Sequence, residues 1–160
     1  MAQVDLESSL HRQDTLELRV WLRLLTCTQM ISTKVRLALR EQFSTTLPRF
    51  DALAQLDRVP EGLPMSELSR RLMVTGGNVT AIVDRLLEEQ LVTRVADPDD
   101  RRRQIVTLTA KGRQRFKQMA PTHQVWIDDI MHDIDPSTLQ QLYTILGQLK
   151  QSAEQSTPSS

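Results

Sequence analysis

The stretch GLPMSELSRRLMVTGGNVTAIVDRLLEEQLVTRVADPDDRRRQIVTLT, residues 62–109, decides the fold of this chain. Apolar residues at helical spacing predict two short helices, residues 66–72 and 77–90, separated by the break MVTGG. Two strand-like runs follow, LVTRV at 91–95 and QIVTL at 104–108, joined by a polar tip. The order helix, turn, helix, hairpin is the layout of a winged helix-turn-helix.

The second of these helices has two contrasting faces. One carries an apolar stripe, and Thr75 can cap the helix by accepting a backbone N–H hydrogen bond. A face that approaches base edges needs small residues, amide or hydroxyl groups, and an Arg able to grip guanine or phosphate. The outward face has this composition, which indicates a recognition helix: Gly77, Asn78, Thr80, Ala81, Asp84 and Arg85.

The hairpin tip combines turn chemistry with three consecutive arginines. Asp97-Pro98-Asp99-Asp100 predicts the turn, and Arg101, Arg102 and Arg103 follow it. Three neighbouring cations repel one another unless an anion comes close, and Asp100 can orient Arg102 through a carboxylate–guanidinium pair. The alternative is a surface ion pair worth about 0–1 kcal/mol. Beside a recognition-type helix, the three arginines favour DNA.

The charge distribution supports a nucleic-acid partner although the net charge is zero. Residues 65–117 carry eleven basic and seven acidic side chains. Residues 1–64 carry eight of each, and residues 118–160 carry one basic and five acidic side chains. The basic middle is a local electrostatic footprint that the total conceals.

The flanking regions predict long helices that need a partner. A helical pattern without Pro or Gly runs from an N-cap at Asp14 to Phe43, about 45 Å of helix, which is too long for a domain of this size to cover alone. A short helix is expected at 48–57. Thr109 should cap a helix at 110–134, kinked or interrupted at its central proline, and a last helix is expected at 137–153. We expect residues 1–13 to form a flexible arm and residues 152–160 a disordered tail.

The composition excludes several classes of protein. The single Cys27 cannot form an intramolecular disulfide, which fits a reducing compartment. No apolar run approaches 18 residues and the N-terminus lacks the pattern of a signal peptide, so we expect a cytoplasmic protein with no membrane partner. We also expect no cofactor and no metal, because His132 beside Asp128 and Asp129 lacks a third ligand at a recognisable spacing.

Three alternatives remain open from the residues alone. Cys27 lies in an apolar helical setting, where a buried packing thiol is favoured over a redox sensor. An enzyme is disfavoured because no phosphate-binding Gly loop, nucleophile elbow or supported Ser/His/Asp set is present. A winged-helix protein-interaction module without DNA affinity is the more serious rival, and the arginine run at 101–103 argues against it.

The chain resembles the MarR family of transcriptional regulators over nearly its whole length. The motif "DPDDRR…V.LT..G", read together with "VT.IVDRL…LV.R", carries the resemblance. It implies a mainly α fold, a winged helix-turn-helix with long N- and C-terminal dimerisation helices and a two-stranded β wing. Residues 14–151 would form this domain, with dimerisation helices in 14–47 and 110–151 and the DNA-binding winged lobe at 48–109. It further implies a homodimer on a pseudo-palindromic double-stranded DNA operator.

The resemblance also assigns roles to individual residues. Helix 75–90 would enter the major groove, Arg102 the minor groove with Asp100 as its orienting carboxylate, and Arg101 and Arg103 would lie near phosphates. The DNA-binding candidates are Ser66, Thr75, Gly77, Asn78, Thr80, Ala81, Arg85, Asp100, Arg101, Arg102 and Arg103.

A small-molecule effector is the last implication of the resemblance. Members of the family commonly bind a small, often aromatic ligand that lowers DNA affinity, and this chain looks like the branch that controls aromatic-acid catabolism. An aromatic acid or its CoA thioester is the expected effector of a repressor of this kind. Most of the candidate residues are at positions where core packing is the commoner role, and His123 is more typical of a surface or capping histidine. The effector candidates are Trp21, Arg23, Met30, Phe50, Phe116 and His123.

Overall fold

The computed structural model describes residues 4–156 of the 160-residue chain and has the predicted winged helix-turn-helix architecture. Within this range the sheet has three antiparallel strands in the order β1-β3-β2, and a 3₁₀ helix at Leu6–Ser9 precedes the first α-helix. The elements are α1 (Leu16–Phe43), α2 (Leu47–Asp57), β1 (Leu63–Pro64), α3 (Met65–Leu72), α4 (Gly76–Glu88), β2 (Val92–Ala96), β3 (Gln104–Leu108), α5 (Ala110–Met131) and α6 (Pro136–Gln155).

The chain divides into two compact units, and the boundary between them, Gln124 to Val125, falls within α5. The first unit contains the hydrophobic core, which α1 to α4, the sheet and the start of α5 supply together. No described residue from Val125 onward is buried. The largest fully buried side chains are Leu39, Leu53, Leu56, Leu68, Val83, Leu86, Val106 and Met119.

Strand β1 adds a third strand to the predicted two-stranded wing. Leu63 pairs with Val106 of β3 and is 4% exposed, so this short segment closes the edge of the sheet opposite β2. Gly62 makes the approach possible with φ +91°, since a Cβ there would lie 2.5 Å from Thr107 Oγ1 and 2.6 Å from the Val106 carbonyl oxygen. A two-residue strand containing Pro64 leaves no alternating pattern to find in the sequence.

The junction between the wing and α5 is fixed by Thr109 and Gly112. As predicted, Thr109 caps α5: its Oγ1 accepts from Gly112 N at 2.9 Å and donates to the Gln90 carbonyl at 2.8 Å. A Cβ on Gly112 would lie 1.9 Å from the Leu91 carbonyl oxygen. Only glycine therefore allows α5 to start this close to β2.

The first helix begins one residue later than predicted. Thr15 is its N-cap, with Oγ1 accepting from Leu18 N, whereas the carboxylate of Asp14 accepts from His11 N at 2.6 Å. Asp14 thus closes a turn in the preceding arm. Within the arm itself, the 3₁₀ helix carries a capping box made by Asp5 and Ser8.

The C-terminal helices also differ in their ends. The fifth helix continues through Pro121 and ends at Met131, three residues before the predicted end at Ile134. The sixth is longer than predicted, so residues 152–155 of the expected tail are helical, and residues 157–160 of that tail lie outside the described part of the chain. Asp135 caps α6 by accepting from the backbone N–H groups of Ser137 and Thr138, which fixes where this helix starts.

Candidate nucleic-acid interface

Helix α4 presents an exposed outer face of the predicted composition. Val79, Val83 and Leu86 point into the core with 2%, 0% and 0% exposure, which leaves the opposite face in solvent. Thr75 caps the helix by accepting from Asn78 N at 3.3 Å, as the sequence predicts. The predicted residues exposed on this helix and its cap are Thr75, Gly77, Asn78, Thr80, Ala81 and Arg85.

The start of α4 is open to solvent. A Cβ at Gly76 or at Gly77 would meet no protein atom within 4 Å, so packing within the chain does not require glycine at either position. Glycine lowers helix stability relative to alanine, and its benefit is a close approach of the backbone to another molecule. The first turn of α4 therefore leaves its backbone accessible to another molecule.

Ion pairs hold α4 and its arginine in place. Asp84 accepts from Arg94 of β2 at 2.9 Å, and this pair ties the helix to the wing. Arg85 pairs with Glu88 one turn further along α4. Both partners of that second pair are largely exposed, so Arg85 can exchange this carboxylate for a phosphate or a base at little cost.

The wing tip forms the predicted carboxylate–guanidinium pair. The Asp100 carboxylate accepts from the Arg102 backbone N–H at 3.1 Å and from its Nε at 3.4 Å. Arg103 is directed to Asp97 at 3.5 Å, and its backbone closes the turn against Asp97 and Asp100. Arg102 is 93% exposed and Arg101 is exposed beside it, so the tip projects two cations into solvent.

The N-terminal part of α3 contributes the last predicted candidate. Ser66 lies in the first turn of α3 and is exposed. Its neighbour Glu67 accepts hydrogen bonds from Arg71 and Arg70, which hold the pKa of the Glu67 carboxyl below its usual range. The two arginines of this helix are thus balanced by one carboxylate.

The predicted effector residues fall into two groups, and the first is an aromatic cluster in the core. Phe50 is 4% exposed, with its ring centroid 5.6 Å from that of Phe116 and 4.5 Å from that of His123. The ring of His123, for which the sequence favoured a surface or capping role, is half-buried and packs on Phe50. Burial lowers the pKa of His123, which keeps the imidazole neutral at neutral pH.

The second group lies along α1. Trp21 is 55% exposed, and Arg23 pairs with Glu7 of the N-terminal arm at 2.5 Å. Met30 is 43% exposed and lines a cavity of about 580 Å³ between residues 4–6 and α1. The buried hydroxyl of Thr26 lines the same cavity and has no hydrogen-bond partner among the described residues.

Cys27 is exposed, which corrects the expectation of a buried packing thiol. The apolar stripe of α1 suggested burial, but the described residues leave this part of the stripe uncovered.

No group of three or more His, Cys, Asp or Glu side chains that could hold a metal ion occurs within residues 4–156. No helix in the same range is long and apolar enough to cross a membrane.

Sequence patterns did not indicate a set of basic side chains that borders the outer face of α4. Arg36 and Arg49 line a depression of about 740 Å³ together with Ala81 and Arg85 of α4. Arg36 and Arg40 lie four residues apart on α1, and this spacing is the only signal of the set in the sequence. Counting charge over residues 1–64 as a whole hid these arginines, because that region has eight basic and eight acidic side chains.

Comparisons with known proteins agree with this geometry. A family model described as MarR family matches residues 43–103. The chain is 30% identical over 139 residues to the transcriptional activatory protein BadR of Rhodopseudomonas palustris, an alignment that covers 82% of this chain and 79% of that protein.

Solved structures match over most of the chain. A MarR family transcriptional regulator from Silicibacter pomeroyi superposes with a TM-score of 0.76 at 26% identity, covering 90% of this chain and 99% of that one. Sco3205, a MarR family regulator from Streptomyces coelicolor solved in complex with DNA, superposes with a TM-score of 0.79 at 22% identity, covering 90% and 92%. The chain therefore belongs to the MarR family of DNA-binding transcriptional regulators, which are not enzymes.

Proposed function

We propose that this protein is a homodimeric repressor that binds a pseudo-palindromic operator and leaves it when a small ligand binds. In each subunit α4 enters the major groove, and Arg102 at the wing tip enters the adjacent minor groove. The observation that carries the proposal is the exposed outer face of α4, which opens with two glycines that the fold does not need. Small residues and hydrogen-bonding groups on one exposed helix face suit direct readout of base edges.

The wing complements α4 because Arg102 at its tip is already restrained before DNA binds. Asp100 Oδ1 accepts hydrogen bonds from both the backbone N–H and the Nε of Arg102, so less side-chain entropy is lost when the guanidinium enters a narrow groove. Because a narrow minor groove has an enhanced negative potential, an inserted arginine is attracted to it. The Arg102 side chain stays almost fully exposed in this pair, so the carboxylate orients the arginine without sequestering it.

The dimer is proposed from the apolar side chains that α1 and α6 leave exposed. Tyr143 and Ile145 on α6 are 77% and 58% exposed, and Leu16 and Trp21 on α1 are 71% and 55% exposed. Apolar surface of this kind marks an interaction site, and a two-fold axis would let the same surface cover itself. Two lobes read half-sites about 10 bp, or roughly 34 Å, apart. Two copies also double the basic middle region that faces the phosphates.

Mutation of Arg102 tests the DNA-binding part of the proposal. Arg102→Ala should weaken binding to the operator by about 1–3 kcal/mol at fixed salt, because no guanidinium then enters the minor groove. The measurement is a fluorescence titration with the duplex that the wild-type protein selects from a random-sequence library. Arg58→Ala, which removes an exposed arginine at the C-terminal end of α2, is the matched control and should bind as wild type. Equal affinities for Arg102→Ala and the control would refute the role of the wing.

The effector part of the proposal names an aromatic acid or its CoA thioester. Trp21, Arg23 and Met30 offer an aromatic ring, a cation and an apolar chain along one exposed helix. Release of the selected duplex by a panel of aromatic acids and CoA thioesters tests this directly. If none of them releases it, the effector assignment fails while the DNA-binding assignment stands.

A second means of control is favoured by the exposure of Cys27. An exposed thiol can be oxidised, and oxidation on the first helix would change the surface proposed for dimerisation. Peroxide should then lower DNA affinity in the wild type but not in Cys27→Ser. Identical responses of the two proteins would remove the redox alternative.

Repression itself is tested by a reporter placed behind the selected operator in cells. We expect the protein to act in the cytoplasm, where the operator DNA lies. Transcription of the reporter should therefore rise when the gene for this chain is deleted. The relative from Rhodopseudomonas palustris is named as an activatory protein, so the opposite sign is the informative alternative. A fall in transcription on deletion would make this chain an activator.

A further inference from the structure

Three arginines at the junction of α1 and α2 form a second basic surface, which we name the arginine band: Arg36, Arg40 and Arg49. They line one depression of about 560 Å³ together with Ser44, Thr45 and Thr46. Two of the arginines come from the last turns of α1 and the third from the first turn of α2. The band is therefore built where two helix ends meet.

The band is continuous with the outer face of α4. Arg36, Thr46 and Arg49 also line the neighbouring depression of about 740 Å³, which Ala81, Ile82 and Arg85 of α4 line as well. One molecule in this depression would thus contact both Arg85 and the band. All of these residues belong to the same compact unit of the chain.

The positive charge of the band is mostly uncompensated. Arg36 and Arg40 are exposed, and neither forms an ion pair within residues 4–156. Like charges four residues apart on a helix repel each other, so the free protein gains nothing from this pair. Arg49 pairs with Glu89, the C-cap residue of α4, and the Arg49 Nε donates to Thr46 Oγ1 at 3.3 Å.

The start of α2 adds to the positive potential. Thr46 is its N-cap but makes no side-chain cap hydrogen bond, and Pro48 in the first turn has no N–H to donate. The remaining first-turn N–H groups of α2 therefore lack a side-chain acceptor at the cap, at the positive end of the helix dipole. The hydroxyls of Ser44 and Thr46 are additional polar groups in the same depression.

We propose that the arginine band grips the sugar–phosphate backbone of the strand that borders the major groove occupied by α4. This inference rests on the proposed placement of α4 in that groove. Phosphates line both edges of a groove, and half to two-thirds of protein–DNA hydrogen bonds go to phosphate and sugar. A depression shared between α4 and the band places guanidinium groups where the backbone must pass.

A second carboxylate, besides that of Glu89, lies close enough to oppose this arrangement. Asp51 lines the 740 Å³ depression with Arg36 and Arg49. Burial raises the pKa of the Asp51 carboxyl above its ordinary value. Asp51 does not line the depression that contains Arg40, so the phosphate contact is strongest at the Arg40 end of the band.

The double variant Arg36→Gln/Arg40→Gln tests the band. We expect at least about a tenfold loss of affinity for the duplex that the wild type selects from a random library, because charge-assisted hydrogen bonds are removed. The slope of log affinity against log salt should become shallower by about 0.9 for each phosphate that the variant no longer neutralises. Affinity for a scrambled duplex of the same length should fall by the same factor, since backbone contacts carry no sequence information.

Arg58→Gln is the control, because it makes the same Arg→Gln change once, at the opposite end of α2, where the double variant makes it twice in the band. It should leave both affinity and salt slope as in the wild type. A double variant that folds, as judged by its circular dichroism melt, and has the affinity and salt slope of the control would overturn the proposal.

Two further outcomes separate this inference from the proposed function. If Asn78→Ala abolishes discrimination between selected and scrambled duplexes while the double variant binds as wild type, α4 reads the DNA and the band is refuted alone. If the wild type selects no duplex, the proposed placement of α4 and the band fail together. Benzoate binding by calorimetry that the double variant loses, at unchanged DNA affinity, would assign the band to a small anion and would also overturn the proposal.

Discussion

The winged lobe, residues 48–109, and helix α6 differ in the exposure of their apolar residues. Leu68, Val83 and Val106 of the lobe are 0% exposed, whereas Tyr143 of α6 is 77% exposed and Ile145 is 58% exposed. The described part of the chain buries no residue of α6 at all. The lobe has a core supplied within its own unit, whereas α6 carries a stripe that only another surface can bury.

The glycines of the two regions repeat this contrast. A Cβ on Gly112, where α5 meets the lobe, would overlap the Leu91 carbonyl, whereas a Cβ on Gly147 of α6 would meet nothing within 4 Å. Glycine is required by packing at the first position and is a cost in helix propensity at the second. The packing of the lobe is therefore disturbed by a single added carbon atom, whereas the free surface of α6 at Gly147 can accommodate one.

The largest expected effect comes from adding one methyl group at each of these glycines. Gly112→Ala should lower the free energy of unfolding by about 3 kcal/mol, because the backbone of Leu91 must move. Gly147→Ala should raise it by up to about 1 kcal/mol through helix propensity. Denaturant melts of the two variants, measured side by side, check both signs.

The two alanine variants also test the comparison itself. Equal effects at both positions would mean that the packing difference between the lobe and α6 is not real. A loss of dimer without a loss of fold in Gly147→Ala would instead show that a partner helix lies against this position. The mass of each variant should be measured in the same samples by light scattering.

The next largest effect is expected from a charge on the exposed stripe of α6. Leu146→Glu should weaken self-association by about a hundredfold or more, since an unpaired carboxylate would be buried in the proposed interface. The wild type should have about twice the 18.3 kDa mass of the chain, and the variant should approach the mass of one chain. Sedimentation velocity at micromolar concentration measures both.

Gln141→Glu on the same helix is the control for this variant. It adds the same charge at an exposed polar position and should leave the mass at twice that of the chain. If Leu146→Glu also keeps the wild-type mass, the apolar stripe of α6 does not form the interface. The melting curve of the lobe should be unchanged in both variants, because neither residue belongs to its core.

Local patterns made the lobe predictable. Periodicity located α3, α4 and the two wing strands to within two residues, and the caps Thr75 and Thr109 bind as the sequence predicted. The Asp100–Arg102 pair was also predictable, since its members are two residues apart in a turn. Each of these features depends on contacts within a short segment, which sequence spacing records.

Features that depend on distant segments were missed. Strand β1 has two residues, and only its pairing with β3 makes it a strand. The packing of His123 on Phe50 and the exposure of Cys27 depend on which face of a helix is covered. The sequence did not indicate the ring contact of His123, and the prediction of a buried thiol at Cys27 was wrong. The arginine band joins α1, α2 and α4, so no single stretch of sequence displays it.

The smallest expected effect is a loss of stability at low pH through Asp135, the N-cap residue of α6. Hydrogen bonds from Ser137, then Thr138, hold the pKa of the Asp135 carboxyl well below its usual range. The pKa of Asp135 in the folded protein is lower than its unfolded value of about 3.9, so the ionised carboxylate stabilises the fold. This stabilisation is fully present above the unfolded pKa. It is lost as pH falls through the folded pKa.

Asp135→Asn tests this on α6 without touching the lobe, because asparagine keeps the cap acceptor but removes the charge. The wild-type helix should become less stable between about pH 4 and pH 2, whereas the variant should lose less over the same range. Circular dichroism melts at several pH values measure the difference. Glu67→Gln removes the matching low-pKa carboxylate from the lobe, and its acid response should change independently of α6. If both variants changed the same transition by the same amount, the lobe and α6 would unfold as one unit, and the contrast between them would concern packing alone.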